Sequence, residues 1–154
     1  LAVFLGIELK FLENNNDYLI YGVTEKLLEK YPELYKHNLR SFRQFANQHD
    51  LLIYQAHPFR RGCEPANPTF LDGFEVFNGH PRQPNNNQSA KAYALKHKLN
   101  ELSGTDYHEL YDLGRGGIKT KEKIKSVEDF QRIIQTKNSF SLITSPENIY
   151  RTFL

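Results

Sequence analysis

Methionine is absent from the 154 residues, and cysteine occurs once, at Cys63. One cysteine allows no internal disulfide framework, and the chain reads as built for a reducing, cytoplasmic setting. No uninterrupted apolar run is long enough to span a bilayer, so no membrane partner is expected, and no signal-peptide pattern opens the chain. Charge of one sign is scarce too. The formal net charge of +2 is too small to imply a nucleic-acid partner, which is allowed but not favoured. The missing methionine has a second consequence. The chain opens inside an apolar run, Leu1-Ala2-Val3-Phe4-Leu5-Gly6-Ile7, without an initiator, and the expectation is the C-terminal portion of a longer polypeptide. What is present is a globular composition, 39% hydrophobic and 25% charged, at a length that suits one domain with a real core.

The chemistry-bearing residues follow short apolar stretches. Ser103-Gly104-Thr105-Asp106-Tyr107-His108 comes after Lys98–Leu102. Small residues at Ser103 and Gly104 let the backbone turn or approach a neighbour closely. In an extended segment residues i and i+2 point the same way, so Asp106 and His108 can converge just past a strand end. One hard oxygen and one borderline nitrogen suit a divalent transition metal; a polar turn is the plainer reading. Leu51–Ala56 has the same design, an apolar run of strand length that ends in His57-Pro58-Phe59-Arg60-Arg61-Gly62. Pro58 biases His57 away from helical geometry and ends the strand. His57 is then either a hydrogen-bonded cap, with Arg60 and Arg61 as solvated charges, or a metal ligand beside a guanidinium suited to phosphate. Cys63, just beyond, reads as a bystander.

In chain order, residues 2–9 read as a buried strand. Glu8 at its end is costly unless paired, metal-bound or exposed. Asn14 to Asp17 is a turn and Tyr18–Tyr21 a second strand. Thr24 to Tyr35 has roughly helical spacing interrupted at Pro32, and Leu39 to His49 is a clearer amphipathic helix. Phe70–Phe77 reads as a strand, Ser89–His97 as a helix with Ala90, Tyr93 and Ala94 inward, and Gly114–Ile118 as a tight loop around the site. The basic run Lys119 to Lys125 is broken by Glu122 and reads as a solvated face. Ser126 caps a helix whose buried stripe is Phe130, Ile133 and Ile134, and Ser145-Pro146-Glu147 opens a last short one. Strands alternate with helices in the middle of the chain, the pattern of a parallel sheet or barrel. The notable polar groups fall at C-terminal strand ends, where a parallel barrel keeps its site.

Gly6-Ile7-Glu8, Ala56-His57-Pro58-Phe59-Arg60, Gly73-Phe74-Glu75-Val76-Phe77-Asn78 and Ser103-Gly104-Thr105-Asp106-Tyr107-His108, in this order and spacing, resemble the PHP family, the polymerase and histidinol phosphatase domains. The likeness runs from the first strand to about residue 118, where Gly116-Gly117-Ile118 is similar to the loop after that family's last metal motif. The resemblance implies an α/β fold, a distorted seven-stranded TIM-like barrel lacking its N-terminal strands. Residues 1–154 would form a single domain, with up to three zinc, manganese or iron ions at the barrel mouth. It further implies that Glu8 bridges two metals, His57 binds one of that pair, Asp106 the other and His108 the third. Asp17 stands near a position where the family places another ligand. Arg60 would hold a phosphate oxygen, with Glu75 and Asn78 supporting the site. The family's His-x-His motif belongs upstream of Leu1, and the remaining ligands are too few for a complete cluster.

The function implied is hydrolysis of a small phosphate ester by a metal-activated hydroxide, with His57, Arg60 and Asp106 at the reacting centre. Two alternatives stand beside it. One is a nuclease cleaving DNA or RNA diesters; the other is a PHP-like binding module without catalysis.

Overall fold

The structure, a computed structural model, describes residues 2–144. The helix expected from Ser145 lies outside them. Seven strands and four helices are present among the described residues. Strands β1 (Gly6–Lys10), β2 (Asp17–Tyr21), β3 (Leu52–Gln55), β4 (Gly73–Asn78) and β5 (Asn100–Gly104) form one sheet in that spatial order. β1 and β2 are a hairpin, with Lys10 opposite Asp17 and Glu8 opposite Leu19. β2 is antiparallel to β3, whereas β3, β4 and β5 run parallel. β6 (Gly117–Thr120) and β7 (Phe140–Ile143) make a separate antiparallel ribbon.

This corrects the expected TIM-like barrel. The architecture is a small mixed sheet plus a two-stranded ribbon, and no barrel closes among the described residues. The physical reason lies in the connections. A parallel barrel needs a crossover between every pair of strands, but the turn at residues 11–16 folds β2 straight back on β1. Among the described residues β1 stays at the edge and pairs only with β2.

The edge position also corrects the expected buried strand over 2–9. β1 starts at Gly6, and Val3, Phe4 and Leu5 before it are exposed. β3, by contrast, is buried at all four positions, as an apolar run covered on both faces must be. One face carries Ile20, Ile53, Phe74 and Val76 against Leu39, Phe42 and Ala46 of helix α2 (Leu39–Gln48) and Ala94 of α3 (Asn87–His97). The other face packs Leu52, Tyr54 and Leu102 against Ile134 of α4 (Val127–Gln135).

Local chemistry explains the helix limits. Asn38 and Ser41 form a reciprocal capping box at the start of α2, and Ser126 caps α4 through the Asp129 amide at 3.1 Å. The segment from Thr24 to Tyr35 splits at Pro32. Helix α1 (Glu25–Lys30) starts on the Thr24 cap, and residues 34–36 are a 3₁₀ turn.

Two elements were not anticipated. β6 was read as loop and solvated face, and β7 was unassigned. Ser103 fastens their ribbon to β5. Its hydroxyl donates to the Ile143 carbonyl at 2.5 Å and accepts from the Gly117 amide at 3.0 Å.

Candidate metal centre

β1, β3, β4 and β5 point the same way and β2 the opposite way, so the C-terminal ends of four strands meet the start of β2 along one rim. Asp17 opens β2, His57 follows β3, Asn78 ends β4 and Asp106 follows β5. A cleft of about 300 Å³ there is lined by Glu8, Lys10, Asp17, His57, Arg60, Asp106 and His108. All five residues named as metal ligands from the sequence, and Arg60, therefore face one cavity.

His57 is 4% exposed, with Nε2 3.4 Å from Glu8 Oε1 and 3.7 Å from Asp17 Oδ2. The other Asp17 oxygen, Oδ1, lies 3.3 Å from Lys10 Nζ. Pro58 biases His57 away from right-handed helical geometry. His57 has φ of 29°, at positive values that non-glycine residues avoid. Its amide donates to Glu75 Oε2 at 2.9 Å, and its carbonyl accepts from the Arg60 amide at 2.9 Å. Those two bonds keep the backbone in a costly conformation and aim the ring at the cleft.

Asp106 is the second positive-φ residue of the rim, with φ of 51°. β5 has already ended at Gly104, so Asp106 and His108 meet by a turn and not by strand alternation. His108 Nδ1 is 3.3 Å from Asp106 Oδ1 and 2.9 Å from the Asp106 carbonyl oxygen. A carbonyl only accepts, so Nδ1 carries the proton and Nε2 is left as the ligand atom. Asp106 Oδ2 accepts from Arg60 Nη2 at 2.5 Å and from Asn78 Nδ2 at 3.2 Å. Burial acts to raise the Asp106 pKa, but the hydrogen bond and charge of Arg60 outweigh it and hold the carboxyl below its ordinary value.

Arg60 is thus a positioning group before it is a phosphate contact. Nη2 also reaches Asn78 Oδ1 at 3.1 Å and Nε reaches Asn85 Oδ1 at 2.9 Å. Nη1 has no hydrogen bond among the described residues and remains for an anion.

Glu75 lies beneath the rim. Oε2 takes both the His57 amide and Asn78 Nδ2, the latter at 2.9 Å. Burial pushes its pKa up, against the lowering effect of those two donors. Gly104 is small because Glu75 is there: a Cβ on Gly104 would lie 2.1 Å from Glu75 Oε1. Gly116 packs as closely, its hypothetical Cβ 2.1 Å from the Gly104 carbonyl oxygen. The glycine loop therefore packs its backbone on the end of β5, and none of its residues lines the cleft.

Two residues went unmarked or were set aside in the sequence. His80 stacks edge-on against His108 at 5.1 Å, and burial lowers its pKa. Its signal was its place directly after the β4 end, Asn78-Gly79-His80. Cys63, read as a bystander, lies 3.8 Å from His57 Nδ1. One donor atom each from Asp17, His57 and Cys63 falls within 4.8 Å of the other two. Burial and then the Asp17 charge raise the thiol pKa, which is the wrong direction for a nucleophile.

Glu8 and Asp17 beside His57, and Asp106 beside His108, put carboxylate and imidazole groups close together in two places, and both are groups that bind divalent metals. The donor set fits a divalent metal. A larger cleft of about 700 Å³ beside the rim, lined in part by Asn15, Gly62 and Cys63, contains none of the predicted ligands.

The fold and the rim place this chain among known structures as follows. PsfC from Pseudomonas syringae PB-5123 superposes with a TM-score of 0.75 over 94% of this chain and 60% of that one, at 18% identity. The likeness is one of fold, and the chain spans about 60% of the length of PsfC. Residues 84–137 match the PHP-associated family, a PHP C-terminal region. That stretch holds Asp106 and His108; Glu8, Asp17, His57 and Arg60 lie before it. No curated protein sequence matches the chain. Among the described residues no helix is long and apolar enough to cross a membrane.

Proposed function

We propose that the chain is part of a metal-dependent phosphoesterase that hydrolyses a small phosphate ester in the cytoplasm. The reading is carried by one observation, the convergence of Glu8, Asp17, His57, Asp106 and His108 with Arg60 on one cleft of about 300 Å³. The donors fall into two neighbouring groups, Glu8 with Asp17 and His57, and Asp106 with His108. Two such groups suit zinc, manganese or iron, and a divalent ion there supplies hydroxide near neutral pH and neutralises charge on the phosphoryl oxygens. Arg60 aims its free Nη1 at the phosphoryl group while holding Asp106 in place. Glu75 and Asn78 set the positions of His57 and Asp106, so little reorganisation is left for the reaction itself. The family match of residues 84–137 supports the reading.

His57→Ala and Asp106→Asn should each lower hydrolysis of p-nitrophenyl phosphate by at least about a hundredfold. The circular dichroism spectrum should stay unchanged and the bound metal should fall. Wild-type turnover in a metal-replete His57→Ala variant would overturn the reading.

A further inference from the structure

We propose that Cys63 is a metal ligand, its thiolate joining Asp17 and His57 in a sulfur-bearing site that takes zinc in preference to manganese. The proposal rests on the reading that Asp17 and His57 hold a metal, and it refines that reading by placing the ion on His57 Nδ1 rather than on the Nε2 that faces Glu8 and by naming the metal.

The backbone delivers Cys63 to this place. Two consecutive turns wind the chain back over His57, the Arg60 amide bonding to the His57 carbonyl and the Cys63 amide to the Arg60 carbonyl, each at 2.9 Å. The next residue is pinned from both sides. The Glu64 amide donates to Asn16 Oδ1 at 3.0 Å, and the fully buried Gln55 donates through Nε2 to the Glu64 carbonyl at 2.7 Å. A loop anchored to this degree places Sγ; it does not merely leave a thiol in the neighbourhood.

The distances suit a shared ion. Zinc at about 2.3 Å from sulfur and about 2.0–2.1 Å from nitrogen separates the two by about 3.6–3.8 Å at tetrahedral to trigonal angles. Sγ and His57 Nδ1 are 3.8 Å apart, and one Asp17 oxygen completes a triangle whose sides are all within 4.8 Å. With the ion on Nδ1, Nε2 is left on the side of Glu8, whose Oε1 is 3.4 Å away. Room for the ion and its waters is also present. A pocket of about 290 Å³ has Asp17, His57 and Cys63 among its walls, together with the cationic Lys10, Arg60 and Arg61, and Glu8 is not one of them. The Asn15 carbonyl oxygen is 3.6 Å from Sγ. A thiolate in the set selects zinc or another soft divalent ion over manganese and magnesium, which favour all-oxygen ligands.

Cobalt reports the bond directly, because a thiolate bound to Co(II) gives an intense near-ultraviolet charge-transfer band that oxygen and nitrogen ligands do not. The 154-residue chain is titrated with cobalt chloride, beside Cys63→Ser, and bound cobalt is measured by elemental analysis. The expected result is the band in the wild type and its loss in Cys63→Ser, with zinc affinity at least about tenfold weaker in the variant. Cobalt bound without the band, or no cobalt bound, overturns the proposal. Should Cys63→Ser fail to fold, iodoacetamide on the wild-type chain decides instead: zinc must slow alkylation of Cys63 and manganese must not, and equal rates with and without zinc overturn it. Hydrolysis of p-nitrophenyl phosphate by the same preparations separates this proposal from the one it rests on. Turnover without the band leaves the phosphoesterase reading standing alone. The band without turnover under zinc, manganese or iron leaves the thiolate site standing alone.

Discussion

Asp112 is a side chain whose job is electrostatic bookkeeping at the edge of the site. It is fully buried and takes two bonds from Arg82, at 2.9 and 2.8 Å, and the backbone amides of His108 and Glu109 at 3.0 and 2.9 Å. The Arg82 hydrogen bond is the largest of the influences that hold its carboxyl well below the ordinary value. A depressed folded-state pKa adds stability that is present above the unfolded carboxylate pKa and is lost as pH falls through the folded one. The loop at 106–112 should therefore loosen on acidification below about pH 4. Urea melts of wild type and Asp112→Asn across that range should diverge at neutral pH and converge in acid; parallel curves would refute the role. In the sequence Asp112 was one acid among many, because nothing local signals a partner thirty residues away. Asp106, His57 and His108 were legible because they follow strand ends. Cys63 was set aside because the double turn that returns it to His57 leaves no periodic trace.

Strand ends are where elements become a site. β4 and β5 are adjacent and parallel, so Glu75 on one strand lies under Gly104 on the next. The contact has no slack, since a methyl group at 104 would stand 2.1 Å from a carboxylate oxygen that belongs to a side chain anchored on the His57 amide. Gly104→Ala should displace that carboxylate and release His57 from its positive-φ conformation. The expected cost is about 1–3 kcal/mol of stability and about 10–100-fold in metal affinity. Calorimetric zinc titration of the variant checks this, and unchanged affinity would mean that Glu75 does not position His57. The small residue at 104 was visible in the sequence as a place of close approach. What approaches it was not, because Glu75 reads as an ordinary strand carboxylate until β4 is set beside β5.

The whole molecule is a sheet with a covered centre and an open edge. β3 is buried on both faces, whereas among the described residues β1 pairs on one side only and alternates between exposed and half-buried positions. In this chain amide hydrogen exchange should be slowest in β3 and fastest among the sheet strands in β1, by orders of magnitude. Equal protection would argue against an open edge. Strand and helix identities followed from local rules: apolar runs between breakers for β3 and β4, a capping box and a 3.6-residue stripe for α2, Ser126 for α4. Candidate ligands followed too, since a histidine or an aspartate after such a run can point only at a strand end. Closure could not be read that way. Whether strands form a barrel depends on which edges meet, and edge pairing is a contact between distant segments that hydrophobic pattern leaves open. The ribbon of β6 and β7 was invisible for the same reason. Its two strands pair with each other, and Ser103 ties both to β5 through Gly117 and Ile143, an arrangement spanning forty residues. Residue pattern thus decided which groups reach the rim, and three-dimensional pairing decided which of them lie close enough to one another to hold an ion, because those distances are between side chains that local sequence does not relate.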